Sequence, residues 1–363
     1  MPFRWPDNRL IDLFEIEHPI ILAPMAGAMD AELVAAVSAA GGLGSLPCAM
    51  LTPTRLRDQF AQIRAITSKP VNVNFFCHAA PVANNAREAR WRDTLKPYYE
   101  ELGIDPTAPV PTSNRAPFDA AFCEVIEELR PQVVSFHFGL PADELLRRVK
   151  DAGCRVISSA TTTAEAIWLE QHGVDAVIAQ GFEAGGHRGM FLTDNIAAQV
   201  GTFALVPQIV DNVKVPVIAA GGIGDARGIT AALALGACGV QIGTAYLHCP
   251  EAKIAAPHRA AMKSARDDAT AITNLMTGRP ARGFVNRIMR EVGPINDVVP
   301  QFPLAAGALA PLRANAEAAG SGAFSPMWSG QAAALGREMA AGELTKRLAA
   351  EAQDQLRRLA AQA

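Results

Sequence analysis

The stretch Asp175–Gly189, DAVIAQGFEAGGHRG, gathers several groups able to do chemistry. Asp-Ala-Val-Ile-Ala reads as a short apolar strand, too short for a helix and too uniform to be half exposed. It delivers Gln180, then breaks into a loop with glycines at 181, 185, 186 and 189, the charged Glu183 and Arg188, and the titratable ring of His187. A buried strand that ends in an amide and a glycine-flanked imidazole describes the active-site loop of an α/β enzyme. A solvated turn with a surface histidine has the same composition, so the elements around it must decide.

Those elements repeat. Strand-like runs fall at 20–23, 43–46, 70–75, 132–136, 155–159, 175–179, 215–219 and 239–243, with helical stretches at 30–40, 52–67, 118–129, 143–151, 163–172, 196–212 and 226–235 between them. Asp30 is placed as an N-cap, Gly41-Gly42 as a helix stop, and Pro24 ends the first strand. Eight strands separated by helices predict an α/β fold, a closed (β/α)8 TIM barrel. A doubly wound sheet is the alternative, but no G-x-G-x-x-G follows any strand. Residues 1–18 read as a polar approach segment. Residues 77–117, charged and then proline-rich, read as a part-helical insertion after strand three. Residues 264–363 do not fit the repeat. With an amphipathic helix near 337–360, they are expected to form a smaller helical and loop segment beside a barrel of residues 1–263, contributing to the substrate pocket.

A barrel's site lies at the C-terminal ends of its strands. Those ends are Ala23-Pro24-Met25, Ser45, Asn74, His137, Ser159-Ala160-Thr161, Gln180 with His187, Ala220-Gly221-Gly222 and Gly243-Thr244. No carboxylate closes a strand, which argues against glycoside hydrolysis, and neither G-x-S-x-G nor H-E-x-x-H is present. Three metal ligands cannot be assembled, so no metal is expected. The glycines of AAGGIGDA and QIGTAY, after strands seven and eight, suit an anion cradle at a helix N-terminus, the usual phosphate position in barrels. Their other reading is tight turns that need positive φ. Asn74 and Gln180 offer amides to a ring edge, and Met25 can pack on a ring face. With a phosphate cradle, these groups suggest FMN. His137 is a second catalytic candidate, or a structural ring bonded to a loop carbonyl.

At 363 residues, 50% hydrophobic and 19% charged, the chain has the composition of a globular protein. A net charge of −3 gives no reason to expect nucleic acid or an anionic membrane as a partner. Six scattered cysteines without a C-x-x-C pair read as buried free thiols. With no signal segment and no transmembrane-length apolar run, a cytoplasmic protein is expected. Oligomeric state is left open.

IILAPMAG, NVNFF, SFHFG, AQGFEAGGHRG, AAGGIGD, QIGTAY, TGRPARGFVNR and WSGQ, in that order between residues 18 and 331, resemble the nitronate monooxygenases, formerly called 2-nitropropane dioxygenases. The 77–117 insertion resembles one class within that family. The resemblance implies an FMN-containing TIM barrel that uses O2 to convert alkyl nitronates, such as propionate 3-nitronate, to a carbonyl compound and nitrite. It carries over Met25, Asn74, Gln180, Gly185, Gly222, Gln241, Gly243 and Thr244 as FMN contacts, beside Ala23 and Pro24, and His187 as the catalytic histidine. His187 would hydrogen-bond the nitro oxygens or act as a base, with a pKa near neutrality. NAD(P)H-dependent flavin reductases, of the enoyl-acyl-carrier-protein or quinone type, share such a cradle and are the alternative.

Overall fold

The computed structural model describes residues 4–82, 84–111 and 115–362. Its strands in chain order are β1 Ile20–Leu22, β2 Gly44–Pro47, β3 Val71–Phe76, β4 Val133–His137, β5 Arg155–Ala160, β6 Ala176–Gln180, β7 Gly186–His187, β8 Val217–Ala220, β9 Gly239–Ile242, β10 Thr270–Thr273 and β11 Ala281–Phe284. Eight of them form one parallel sheet in the order β1-β9-β8-β6-β5-β4-β3-β2. Its two ends meet where Leu22 N–H donates to Leu43 O (2.9 Å) and Leu43 N–H to Ile20 O (2.9 Å), so the sheet closes into the expected (β/α)8 barrel. Helices cover the outside and side chains fill the inside, which is why these strands read as uninterrupted apolar runs.

Inside the barrel, Ile21, Leu43, Val133, Ile157, Ile178 and Ile218 pack into one cluster with Leu10, Phe14 and Ile16. The last three belong to a part of the chain that its polar composition marks as an approach segment. Residues Arg9–Phe14 instead form a helix, and its buried Leu10 and Phe14 lie four apart on one face. The helix expected over 196–212 is also different. A short turn at Ile196–Ala198 is followed by a helix that starts only at Thr202, after Gly201.

The barrel's eighth helix is far from its eighth strand in sequence. Helix Ala341–Ala360 packs against helices Ala31–Ala39 and Ala226–Ala234, closing the outer ring. Its Thr345 hydroxyl bonds the buried Tyr246 OH at 2.8 Å. A division at 263 therefore cuts the barrel, and residues 249–340 form an excursion between strand and helix. That excursion contains β10 and β11, so it is not helical throughout. A continuous strand–helix repeat cannot be seen in sequence across some 90 intervening residues.

The excursion packs on the insertion after β3. Helix Asn85–Glu101 of the insertion lies against helix Ala305–Ala318. Trp91, Leu95 and Tyr99 meet Leu275, Ile288 and Leu309 in a core separate from the barrel's. Trp91 Nε1 donates to Ala305 O at 3.3 Å and Tyr99 OH to Ala308 O at 2.5 Å. Residues 83 and 112–114 of the insertion lie outside the described residues. Together the two segments make a lid, and β10-β11-β7 is the sheet that joins it to the loop bearing His187.

Candidate active site

A cavity of about 520 Å³ lies between the strand ends and the lid. Ala23, Pro24, Met25, Asn74, Gln180, Gly185, Gly222, Gln241, Gly243, Thr244, His137 and His187 all line it. These positions span 222 residues of sequence, and the barrel topology alone brings them to one end.

The barrel wall offers backbone and amide groups. Gly221 and Gly222, just past β8, both have positive φ, +112° and +72°. A Cβ on Gly222 would meet Glu183 at 3.6 Å in ordinary contact, and Gly222 lines the cavity. Among the described residues, no acceptor takes the N–H groups of Gly221, Gly222, Ile223, Gly243 or Thr244. Unpaired amides converging on a cavity suit an anion. The helix N-terminus that follows does not share in this. Asp225 caps it, accepting from Arg227 N at 2.9 Å and pairing with the Arg227 guanidinium at 2.5 Å. The cradle therefore sits in the turn ahead of the helix. Nearby, Gln241 Oε1 is buried with no partner among the described residues. Asn74 donates to the Ser135 hydroxyl (2.9 Å) and carbonyl (3.2 Å), so its carboxamide oxygen is what it can present to a ligand. A phosphate-bearing cofactor with a ring N–H group fits this donor and acceptor set.

Several polar groups of the key loop are committed to the loop itself. Gln180 Nε2 donates to His187 O at 2.9 Å, and its Oε1 accepts from Gly189 N at 2.7 Å. Glu183 accepts from Thr202 N (2.8 Å) and from the Thr202 hydroxyl (2.9 Å). Arg188 is fully buried and donates to Gly181 O (2.6 Å), Gln180 O (2.8 Å) and Gln199 Oε1 (3.0 Å). Burial, with Arg282 nearby, lowers its pKa to about 10. Glu165, also fully buried, accepts from Thr161 N (2.6 Å) and Phe191 N (2.6 Å), fixing the loop's far end.

His137 has both ring nitrogens engaged. Nδ1 lies 3.0 Å from the Ser159 hydroxyl and Nε2 3.2 Å from the His187 carbonyl. A carbonyl can only accept, so Nε2 carries the proton and Nδ1 accepts from Ser159. Burial depresses the His137 pKa to about 3. This geometry matches the structural alternative, a ring that holds the His187 backbone.

His187 is enclosed by the rings of Phe76, Phe138, Phe302 and Trp328, with centroids 5.3–6.0 Å away. Its Nε2 is 2.9 Å from the Thr277 hydroxyl. Burial, then the charge of Arg115, hold its pKa well below the ordinary 6.5. The expected near-neutral value does not survive, because sequence shows neither the ring cage nor the arginine. Arg115, Trp328 and Arg313 line the cavity and were not singled out from sequence. Thr277 was within reach, since the TGRPARG run belongs to the resemblance, but nothing in the run shows which side chain meets His187.

The family model described as nitronate monooxygenase matches residues 7–351. A nitronate monooxygenase of Pseudomonas aeruginosa is 44% identical over 348 residues, covering 95% of this chain and 99% of that protein. One from Paraburkholderia phytofirmans is 42% identical, covering 96% of each. Among solved structures, a nitroalkane oxidase from Streptomyces ansochromogenes superposes with a TM-score of 0.88 at 36% identity, covering 97% of this chain and 99% of that one. FabK from Thermotoga maritima reaches 0.74 at 28% identity, covering 99% and 100%. The sequence match runs through barrel, insertion and excursion alike, and on that ground the chain belongs to the nitronate monooxygenase family of flavin-dependent oxidoreductases.

Proposed function

We propose that the protein binds FMN on the barrel wall of the cavity and uses it to oxidise alkyl nitronates with O2, giving a carbonyl compound and nitrite. Propionate 3-nitronate is the kind of substrate that fits. The observation that carries this reading is the charge around His187, whose pKa burial depresses first and the guanidinium groups of Arg115 and Arg279 help to depress further. Arg115, Lys253 and Arg313 line the cavity; Lys253 is paired with Glu32 at 2.9 Å, and Arg313 with Glu317, the one acid among the described lining residues. That acid is already bound to Arg313 (2.8 Å) and to the Ser325 hydroxyl (2.7 Å). A partly desolvated cationic site favours an anion such as a nitronate over a neutral nitroalkane.

FMN, when bound, supplies the electron acceptor. The unpaired amides at Gly221–Ile223 and Gly243–Thr244 would hold its phosphate, and Gln241 or Asn74 would accept from the single ring N–H of the oxidised flavin. Met25, 3.4 Å from where a Gly243 Cβ would stand, closes the barrel wall beside that cradle. On the lid side, His187 meets the substrate oxygens as a neutral ring, and the surrounding aromatics exclude water. His137, Gln180 and Arg188 hold the His187 peptide in place. The six cysteines are free, which fits a cytoplasmic setting.

The test is anaerobic mixing of purified protein with propionate 3-nitronate and, separately, with NADH or NADPH. We expect a yellow protein that releases FMN on denaturation. Its visible absorbance should change rapidly with the nitronate and hardly at all with the nicotinamides, and aerobic turnover should form nitrite. Rapid bleaching by NAD(P)H without nitrite formation from the nitronate would overturn this reading.

A further inference from the structure

We infer that the Thr277 hydroxyl sets the tautomer of His187, donating to Nε2 and so placing the imidazole proton on Nδ1, the ring nitrogen without a protein partner among the described residues. Thr277 is 1% exposed, and its hydroxyl bonds only His187 Nε2 among the described residues. Two arrangements satisfy the 2.9 Å contact. If Nε2 carried the proton and donated, the hydroxyl would accept, and its own hydrogen would be left without an acceptor in a buried site. Folded proteins avoid that state. If Thr277 donates instead, every polar hydrogen of the pair is used and Nδ1 carries the proton. Nδ1 itself has no protein partner among the described residues, and the ring lines the cavity.

The turn that holds Thr277 is built for one position. Gly278 has φ +91°, and a Cβ there would strike the Pro300 carbonyl. Its N–H donates to Asn274 O at 2.8 Å. Asn274 in turn exchanges hydrogen bonds with the Asn296 backbone, at 2.9 and 3.0 Å. On the other side, β7 pairs with β11, and Arg188 N donates to Pro280 O at 2.9 Å. The lid thus carries both the strand that fixes the His187 backbone and the hydroxyl that fixes its ring.

The chemical consequence rests on the nitronate reading. Nitronate oxygens only accept hydrogen bonds, so a ring presenting N–H at Nδ1 is matched to them. The same ring cannot take a proton from carbon at that nitrogen. Thr277 is therefore a positioning residue that makes His187 a donor and not a base.

The experiment is nitrogen-15 NMR of the imidazoles in the flavin-loaded protein, with the His187 signal assigned by its loss in His187→Asn. We expect the wild type to show the Nδ1-protonated neutral tautomer and Thr277→Val to lose that preference. Thr277→Ser should retain it. With propionate 3-nitronate, kcat/KM should fall about 10-fold in the valine variant and recover in the serine variant, the scale of one hydrogen bond. A wild-type ring protonated on Nε2 would overturn the inference whatever the substrate is. So would an unchanged tautomer in Thr277→Val. Loss of nitronate turnover in the wild type would instead overturn the functional reading and leave the tautomer measurement standing.

Discussion

On the barrel side the cavity is lined by glycines, amides, hydroxyls, apolar side chains and His137, and among the described residues no Asp, Glu, Lys or Arg of the barrel lines it. On the lid side it meets Arg115, Lys253, Arg313 and Glu317, together with Trp328. His187 sits on the seam, carried by a barrel loop but paired to the lid through β7 and β11. The difference separates two tasks. Backbone amides are fixed in place by the fold and suit a resident cofactor, whereas long charged side chains on an added segment can be exchanged to choose a substrate. If that division holds, damage to one wall should leave the other wall's task intact.

The largest effect should come from the barrel wall. Gly222→Leu fills the space before the cradle, and FMN affinity should drop on the order of 100-fold or more, about 2.8 kcal/mol. Gly222→Ala carries the same positive-φ strain, of order 1 kcal/mol, without the bulk. Dialysis followed by flavin fluorescence should therefore show the alanine variant keeping most of its FMN and the leucine variant losing it. Full retention in Gly222→Leu would place the phosphate elsewhere and break the comparison.

An intermediate effect should come from the lid. Arg115 is mostly buried and lines the cavity, and burial together with nearby Arg313 lowers its pKa. Arg115→Met should raise KM for propionate 3-nitronate about 10-fold, with a smaller rise for an alkyl nitronate lacking the carboxylate, while FMN content stays unchanged. Equal rises for both substrates would mean that Arg115 serves the nitronate group or the fold and not the second charge.

Sequence made the barrel wall readable and left the lid obscure for a physical reason. Parallel strands buried on both faces announce themselves as apolar runs, and topology puts the residue after each run at the mouth. Asn74, Gln180, Gly222 and Gly243 could be placed that way with no contact known. Even there, spacing did not show that Gln180 spends its amide on the loop, nor that Asp225 takes the helix N-terminus out of the cradle. Gln241 lies within a strand and came only through resemblance. The lid is assembled from residues about 100 and about 300 in the sequence, joined by contacts such as Trp91 with Ala305, and no periodicity links those segments. Arg115 and Thr277 are visible only once the two are together. The helix near 337–360 is legible as an amphipathic helix but not as the barrel's eighth, since 249–340 intervene.

The smallest effect concerns pH and distinguishes the neutral-ring picture from a titrating base. Burial lowers the pKa of His137 to about 3 on the barrel side, and of His78 and His258 to about 4 on the lid side. His187 is lowered as well. A histidine depressed in the folded state costs nothing above its unfolded pKa of about 6.5, where both states are neutral. As pH falls below that value the unfolded chain takes up protons that the native protein refuses. Stability should therefore be level above about pH 7 and decline as pH falls toward 4 for the lid rings and 3 for His137. For His137 the slope reaches about 1.4 kcal/mol per pH unit, or roughly 2 °C in Tm. Turnover of a pre-formed nitronate should show no inflection near pH 6.5, because the ring that meets it stays neutral throughout. An inflection there that disappears in His187→Asn would mean that the ring titrates in the working range, and the lid would then hold a proton acceptor rather than a fixed donor.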